Sequence, residues 1–170
     1  MFTEMLGTDH PFELQESWQG NSKMDLAARH VLRAFGYTEK AFRKGVANDE
    51  MVINGPGVNV PTVSLTTGDA YPQYHSSLDT PEIIIEKQLS EAVEVVRRIL
   101  SIFERDYRPR RTFMGPVFLS RYGLWIDYAV NPKLNQNIEY LMMSLEGEQS
   151  VLEIAEKLDM PFDEVYAFLK

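Results

Sequence analysis

Between Pro81 and about Glu104 the chain repeats apolar residues at helical spacing: Ile84, Leu89, Ala92, Val93, Val96, Ile99, Leu100 and Phe103. Glu86, Lys87, Glu91, Glu94, Arg97 and Arg98 fall mostly on the opposite side. A helix so patterned must lay its apolar side on a sheet or on other helices, which commits the chain to a layered, packed domain. Asp79-Thr80-Pro81-Glu82 signals the helix start. Thr80 or Asp79 can cap, proline suits the first helical position, and an acid favours the positive end. Arg105-Asp106-Tyr107-Arg108-Pro109-Arg110-Arg111 signals the stop, with a proline that cannot continue a helix. The break divides the chain into an expected first domain over 1–107 and a second over 108–170.

Upstream of that helix, strand and helix signals alternate. Residues 2–6 read as a short strand and Asp9 to Asn21 as a polar loop. Ser22 to Phe35 reads as a capped helix with Leu26, Ala27, Val31, Leu32 and Phe35 on one side and Gly36 as its stop. Residues 37–47 are mixed. Asn54-Gly55-Pro56-Gly57 marks a turn, and Val58 to Leu65 reads as a strand in which Pro61 points to an edge or a bulge. Downstream, Phe113 to Trp125 suits a short hairpin, and Asn131-Pro132 opens a helix to about Leu145. Ser150 to Leu158 and Phe162 to Leu169 read as two short helices across the Met160-Pro161 turn, a helix-turn-helix or winged-helix pattern. The expected class is α/β with a small helical module behind it.

Charge and composition narrow the function. Of the 170 residues 44% are hydrophobic, enough to bury a core. The formal net charge of -8 opposes sequence-independent binding of nucleic acid and docking on an anionic membrane. Residues 146–170 carry seven acids against two lysines, so a DNA-reading helix there would be repelled by phosphates. With no cysteine, disulfides and thiolate metal sites are excluded, and a transition-metal site must use His, Asp and Glu. The start lacks a basic and apolar leader, and no stretch nears the ~18 apolar residues that span a bilayer. The expectation is a cytoplasmic protein with neither membrane nor nucleic acid as partner.

One polar loop carries the chemistry. In Tyr71-Pro72-Gln73-Tyr74-His75-Ser76-Ser77-Leu78-Asp79-Thr80-Pro81 a histidine sits between a β-like run and the long helix, where open α/β folds place ligands. The cap explains Asp79 to Glu82 but leaves His75 unexplained. Tyr74-His75-Ser76-Ser77-Leu78-Asp79-Thr80-Pro81 resembles the last metal-ligand segment of the co-catalytic di-zinc aminopeptidases of the aminopeptidase Y and S type. Thr3-Glu4-Met5-Leu6-Gly7 resembles a strand end in that family whose acid binds zinc, and Asn48-Asp49-Glu50 is similar to a motif lying between the two. The order agrees with the family. The ending, Leu145-Glu146-Gly147 through Leu158 and then Met160-Pro161-Phe162-Asp163-Glu164-Val165, is similar to aminopeptidase-like proteins that close with a winged helix.

The resemblance implies a fold and a partial site. The fold would be part of a three-layer α/β/α zinc-exopeptidase-like sheet followed by a winged-helix-like module. Glu4 and His75 would be metal ligands. Asp49, Glu50, Asp79 and Tyr74 would shape the substrate site or support the ligands, with Asp79 or a loop carbonyl accepting the second ring N–H of His75. The family's remaining ligands and its Glu-Glu pair come before the strand that Glu4 would occupy, and only three residues precede Glu4 here. The binuclear zinc and the peptide-like substrate thus belong to the complete family site. The expected partners are an N-terminal half of the enzyme or a second copy, and the chain alone is expected to be inactive. A non-catalytic scaffold relative and a helix-turn-helix regulator are the alternatives.

Overall fold

A computed structural model of the chain describes residues 1–45, 48–68 and 71–170. Its contacts form two units, Met1–Ser101 and Ile102–Lys170. The expected boundary near 107 lies inside the second unit. Strands and helices together make a mixed α/β protein, and no helix among the described residues is long and apolar enough to cross a membrane.

The first unit is built on a four-stranded mixed sheet. Its strands are β1 (Phe2–Thr3), β2 (Phe12–Gln15), β3 (Tyr37–Lys40) and β4 (Ser64–Thr66), in the spatial order β1-β4-β2-β3. β1 runs parallel to β4, β2 parallel to β3, and β2 antiparallel to β4. Helix α1 (Lys23–Leu32) begins at Ser22, as the sequence signals. The Ser22 side chain accepts from the Asp25 amide while Asp25 accepts from the Ser22 amide, a reciprocal capping box that satisfies two end donors. Gly36 follows in the left-handed region at φ 74, where a Cβ would be strained.

Asp9 to Asn21 is not all loop, because β2 lies within it and is a central strand. Phe12 and Leu14 alternate with Glu13 and Gln15 along it, and all four are buried. The expected strand over Val58 to Leu65 shrinks to Ser64–Thr66 and sits between β1 and β2 rather than at an edge. Pro61 precedes the ladder and so removes no bond from it, while Val58 and Val60 are exposed.

Leu14, Val63 and Leu65 on the sheet, Ala27, Ala28, Val31 and Leu32 on α1, and Ala92, Val95 and Ile99 on the long helix α3 (Glu86–Arg105) form the buried apolar set of this unit. Each fully buried leucine or isoleucine contributes about 1.5–3 kcal/mol relative to exposure. The long helix starts later than Pro81: Pro81–Ile83 is a 3₁₀ turn and Thr80 makes no side-chain cap bond. The Ile85 amide donates to the Gly7 carbonyl at 2.8 Å and Gln88 Nε2 to the His10 carbonyl at 3.1 Å, which tie this start to the strand ends.

The second unit holds α4 (Pro132–Met143), α5 (Val151–Lys157) and α6 (Phe162–Leu169). Asn131 caps α4 by accepting from the Leu134 amide at 3.0 Å, and Ser150 and Glu153 form a capping box on α5. α5 and α6 pack together through Ile154, Ala155, Phe162 and Val165, all buried. The hairpin expected over Phe113 to Trp125 does not form: within those residues the regular element is a 3₁₀ turn, Leu119–Tyr122. Gly115 and Gly123 sit at positive φ and Pro116 lacks an amide, so the backbone turns instead of extending into a ladder. An isolated antiparallel bridge joins Arg110 and Glu146.

Candidate functional site

The sequence-derived site residues fall into two groups. Glu4 leads the first. It follows β1, and its amide donates to the Leu65 carbonyl at 3.2 Å. Asn48 Nδ2 donates to Glu4 Oε1, and Glu50 lies near enough to act on its charge. Burial pushes the Glu4 carboxyl above its ordinary pKa; the Asn48 bond opposes this and the Glu50 charge adds to it.

Glu50 is no solvated turn residue. It opens helix α2 (Glu50–Asn54) with its side chain fully buried. The carboxylate accepts from the Asn48 amide at 3.0 and 3.1 Å and from Gln15 Nε2 at 3.1 Å. Gln15 Oε1 in turn accepts from the Gly45 amide at 2.9 Å. A Cβ on Gly45 would stand 2.9 Å from Glu13 Oε1, so a larger residue there would push the Glu13 carboxylate aside. Asp49 precedes α2, is exposed, and makes no side-chain cap bond; its carbonyl accepts from Val52 and Ile53.

Beneath this cluster lies a polar sheet face. Glu13 pairs across the ladder with Thr66, and Gln15 with Ser64. All four are buried together with Glu50, Asn54 and Thr62. Side chains of cross-strand partners share a face, so β2 and β4 turn a buried polar surface toward the residues that link to α2. Ser64 Oγ is the buried side-chain oxygen without a hydrogen-bond partner among the described residues.

The second group is the histidine loop. His75 takes the left-handed conformation at φ 57, which costs energy for a non-glycine residue. Its ring stacks on Tyr74 with centroids 3.8 Å apart, and Tyr74 meets Tyr71 edge-on at 5.7 Å. Asp79 or a loop carbonyl was the expected acceptor for the His75 ring. Asp79 instead accepts from the Tyr71 hydroxyl at 2.9 Å, which holds the Tyr71 pKa above the ordinary phenol value. Tyr71 takes the acceptor because its long side chain reaches Asp79 while the His75 ring is laid flat on Tyr74.

A cleft of about 490 Å³ links the two segments. Met5, Gly7 and Thr8, which follow Glu4, line one side; Tyr71, Asp79 and Thr80 from the histidine loop line another. Thr8 Oγ1 and Thr67 Oγ1 lie 2.7 Å apart, and Thr67 also donates to the Met5 carbonyl. The cleft can hold a small polar molecule beside an apolar wall of Ile84 and Leu89.

These residues do not by themselves make a zinc site. Zinc takes three or four protein donors, and among the described residues no group of three or more His, Asp or Glu is placed to hold a metal ion. Glu4 has one oxygen engaged by Asn48. Sequence reasoning missed Gln15, Tyr71's grip on Asp79 and the Asn54 network. The alternation of Phe12 and Leu14 with Glu13 and Gln15 was the available signal, and the segment was read as a polar loop.

Glu4→Gln tests the electrostatics of the first group. A raised carboxyl pKa means that the folded protein prefers the neutral acid. Stability linked to Glu4 is therefore full below the ordinary carboxylate pKa and is lost as pH rises through the higher folded value. The neutral amide removes that loss, so the variant should melt at an equal or higher temperature than wild type at pH 7. The gap should close toward pH 4. Thermal melts across this range check it.

A family model described as a domain of unknown function (DUF4910) matches residues 1–106. A solved structure described as a "putative peptidase" from Clostridium acetobutylicum has the same fold, with a TM-score of 0.80 over 98% of this chain at 18% identity. This chain spans 38% of the length of that protein. No curated protein matches.

Proposed function

This chain belongs to the DUF4910 family, and from that membership and its shared fold we propose that it is a portion of a peptidase-type hydrolase. It would contribute one wall of a substrate cleft and part of a metal site. The observation that carries this reading is the fold match: nearly the whole chain superposes on little more than a third of a larger protein named as a peptidase. The sheet would then be one part of a three-layer α/β/α exopeptidase sheet. The second unit would be a winged-helix-type module, an assignment supported by its three helices and the Arg110–Glu146 bridge. The acidic ending favours a protein-contact role for it over DNA binding.

Zinc remains a property of the complete site in this reading. Glu4 and His75 would be this chain's donors, with the others supplied from outside it. What the chain's own residues do is bind and orient. Asp79 at the cleft wall offers a hydrogen-bond acceptor to a peptide-like substrate, while Ile84 and Leu89 form an apolar side.

The test compares two proteins. The 170-residue chain should retain no stoichiometric zinc after dialysis and should not release p-nitroaniline from aminoacyl-p-nitroanilides. A longer product, translated from the reading frame upstream of the Met1 codon, should bind zinc and hydrolyse them. Glu4→Gln or His75→Ala in the longer product should lower kcat at least about a hundredfold. Turnover by the short chain alone would overturn the partial-site reading. A longer product that is inactive with zinc bound, or a His75→Ala form at full rate, would overturn the peptidase reading.

A further inference from the structure

Asn54-Gly55 is the one Asn-Gly pair in the chain. Such a pair loses its side-chain amide more readily than other asparagine sequences, because glycine leaves the next backbone nitrogen unshielded. The fold requires both residues for other reasons. Asn54 is 4% exposed and its amide joins three segments. Nδ2 donates to the Glu50 and Thr62 carbonyls, and Oδ1 accepts from the Thr62 and Trp18 amides. A Cβ on Gly55 would stand 2.8 Å from the Met51 carbonyl oxygen and 3.2 Å from that of Val52, both backbone atoms. Hydrogen bonding selects the asparagine, and lack of space selects the glycine. The same contacts hold the pair inert. Amide loss needs the Gly55 nitrogen to shed its proton and reach Asn54 Cγ. The Gly55 N–H instead donates to the Val52 carbonyl at 3.1 Å, and four bonds fix the Asn54 amide.

We propose that Asn54 is a latent deamidation site, inert while α2 is closed and reactive when it opens. In the opened form the deprotonated Gly55 nitrogen bonds to Asn54 Cγ, and Nδ2 takes up a proton and leaves as ammonia. Water then opens the five-membered imide at either carbonyl, giving aspartate or isoaspartate. One water enters and one ammonia departs, with no change of oxidation state. Neither product can rebuild the closed form. Aspartate has no N–H for the Glu50 and Thr62 carbonyls and would set a carboxylate against both. Isoaspartate adds a methylene to the main chain beside Gly55, where the Met51 and Val52 carbonyls already crowd the backbone. Opening of α2 thus ends in an irreversible step, local unfolding trapped by covalent change. The damage reaches the candidate site, since α2 presents Glu50 to Asn48 and Asn48 holds Glu4. This inference stands on the Asn54 network and not on the peptidase reading.

The test incubates the full chain at mildly alkaline pH, in native buffer and in unfolding urea. Peptide mapping follows the mass gain of about one dalton at position 54, and enzymatic methylation reports isoaspartate. In urea, position 54 should react ahead of every other asparagine. In native buffer it should react at least about a hundredfold more slowly, the protection expected of a closed segment. Gly55→Ala, compared in urea where packing plays no part, should slow the reaction at least about tenfold, because a side chain then shields the attacking nitrogen. After removal of urea the modified fraction should melt below wild type or not refold. Asn54→Asp, refolded from urea in parallel, should do the same. A native rate within a hundredfold of the unfolded rate would overturn the proposal. So would an unfolded chain in which position 54 reacts no faster than other asparagines, or an Asn54→Asp form that melts with wild type. None of these outcomes depends on whether a longer product cleaves peptides.

Discussion

Asn54→Ala should lower the stability of the first unit by about 3–4 kcal/mol, more than any surface change in the chain. Asn54 uses its whole amide. Nδ2 donates to the Glu50 carbonyl at 2.8 Å and to the Thr62 carbonyl at 2.7 Å. Oδ1 accepts from the Thr62 amide at 3.1 Å and the Trp18 amide at 3.2 Å. The residue is buried, so alanine would leave backbone groups of three segments without partners and without water. The consequence reaches the candidate site. α2 presents Glu50 to Asn48 and Gln15, and Asn48 holds Glu4. Loosening Asn54 should therefore release Glu4 from Asn48. In a thermal melt the loss amounts to about 8–14 °C for a chain of this size, and amide exchange should quicken at Thr62. A melt within 2 °C of wild type would show that water replaces the four bonds.

Asp25→Ala should cost about 3 kcal/mol and erase a pH dependence. The Asp25 carboxylate is fully buried and accepts four bonds: Ser17 amide 2.7 Å, Ser17 Oγ 2.6 Å, Ser22 amide 2.8 Å and Ser22 Oγ 2.5 Å. Burial alone would push its pKa up; the bonds from Ser17 and Ser22 outweigh that and hold it below the ordinary value. The sign follows. With the folded pKa depressed, the stabilisation is present above the unfolded pKa of about 3.9 and is lost as pH falls through the folded value. Wild-type stability should fall below about pH 4. Asp25→Asn, destabilised at pH 7, should show little of that fall. Parallel acid-branch slopes in urea titrations of the two proteins would contradict the assignment.

The parts of the fold legible in the sequence share a physical character. Ser22, Asn131 and Ser150 announce helix starts because a cap is a contact within three residues of chain. The long helix was visible because period and length act along one segment. The candidate site was legible only as residue types. His75 and Asp79 stood out, but nothing local says that Asp79 would take its hydrogen bond from Tyr71 or that the His75 ring would stack on Tyr74.

By itself, the sequence determined the longer helices, the caps at Ser22, Asn131 and Ser150, the net acidic character, and a histidine loop before a helix. Only the tertiary structure decided that Phe12–Gln15 is a central strand with a polar face turned inward. The reason is that Glu13, Gln15 and Glu50 tolerate burial through partners far along the chain: Lys40 at 3.6 Å from Glu13, and Gln15 joined to Glu50 across 35 positions. A polar residue reads as surface until its hydrogen-bond partner is known, and here the partner comes from long-range folding.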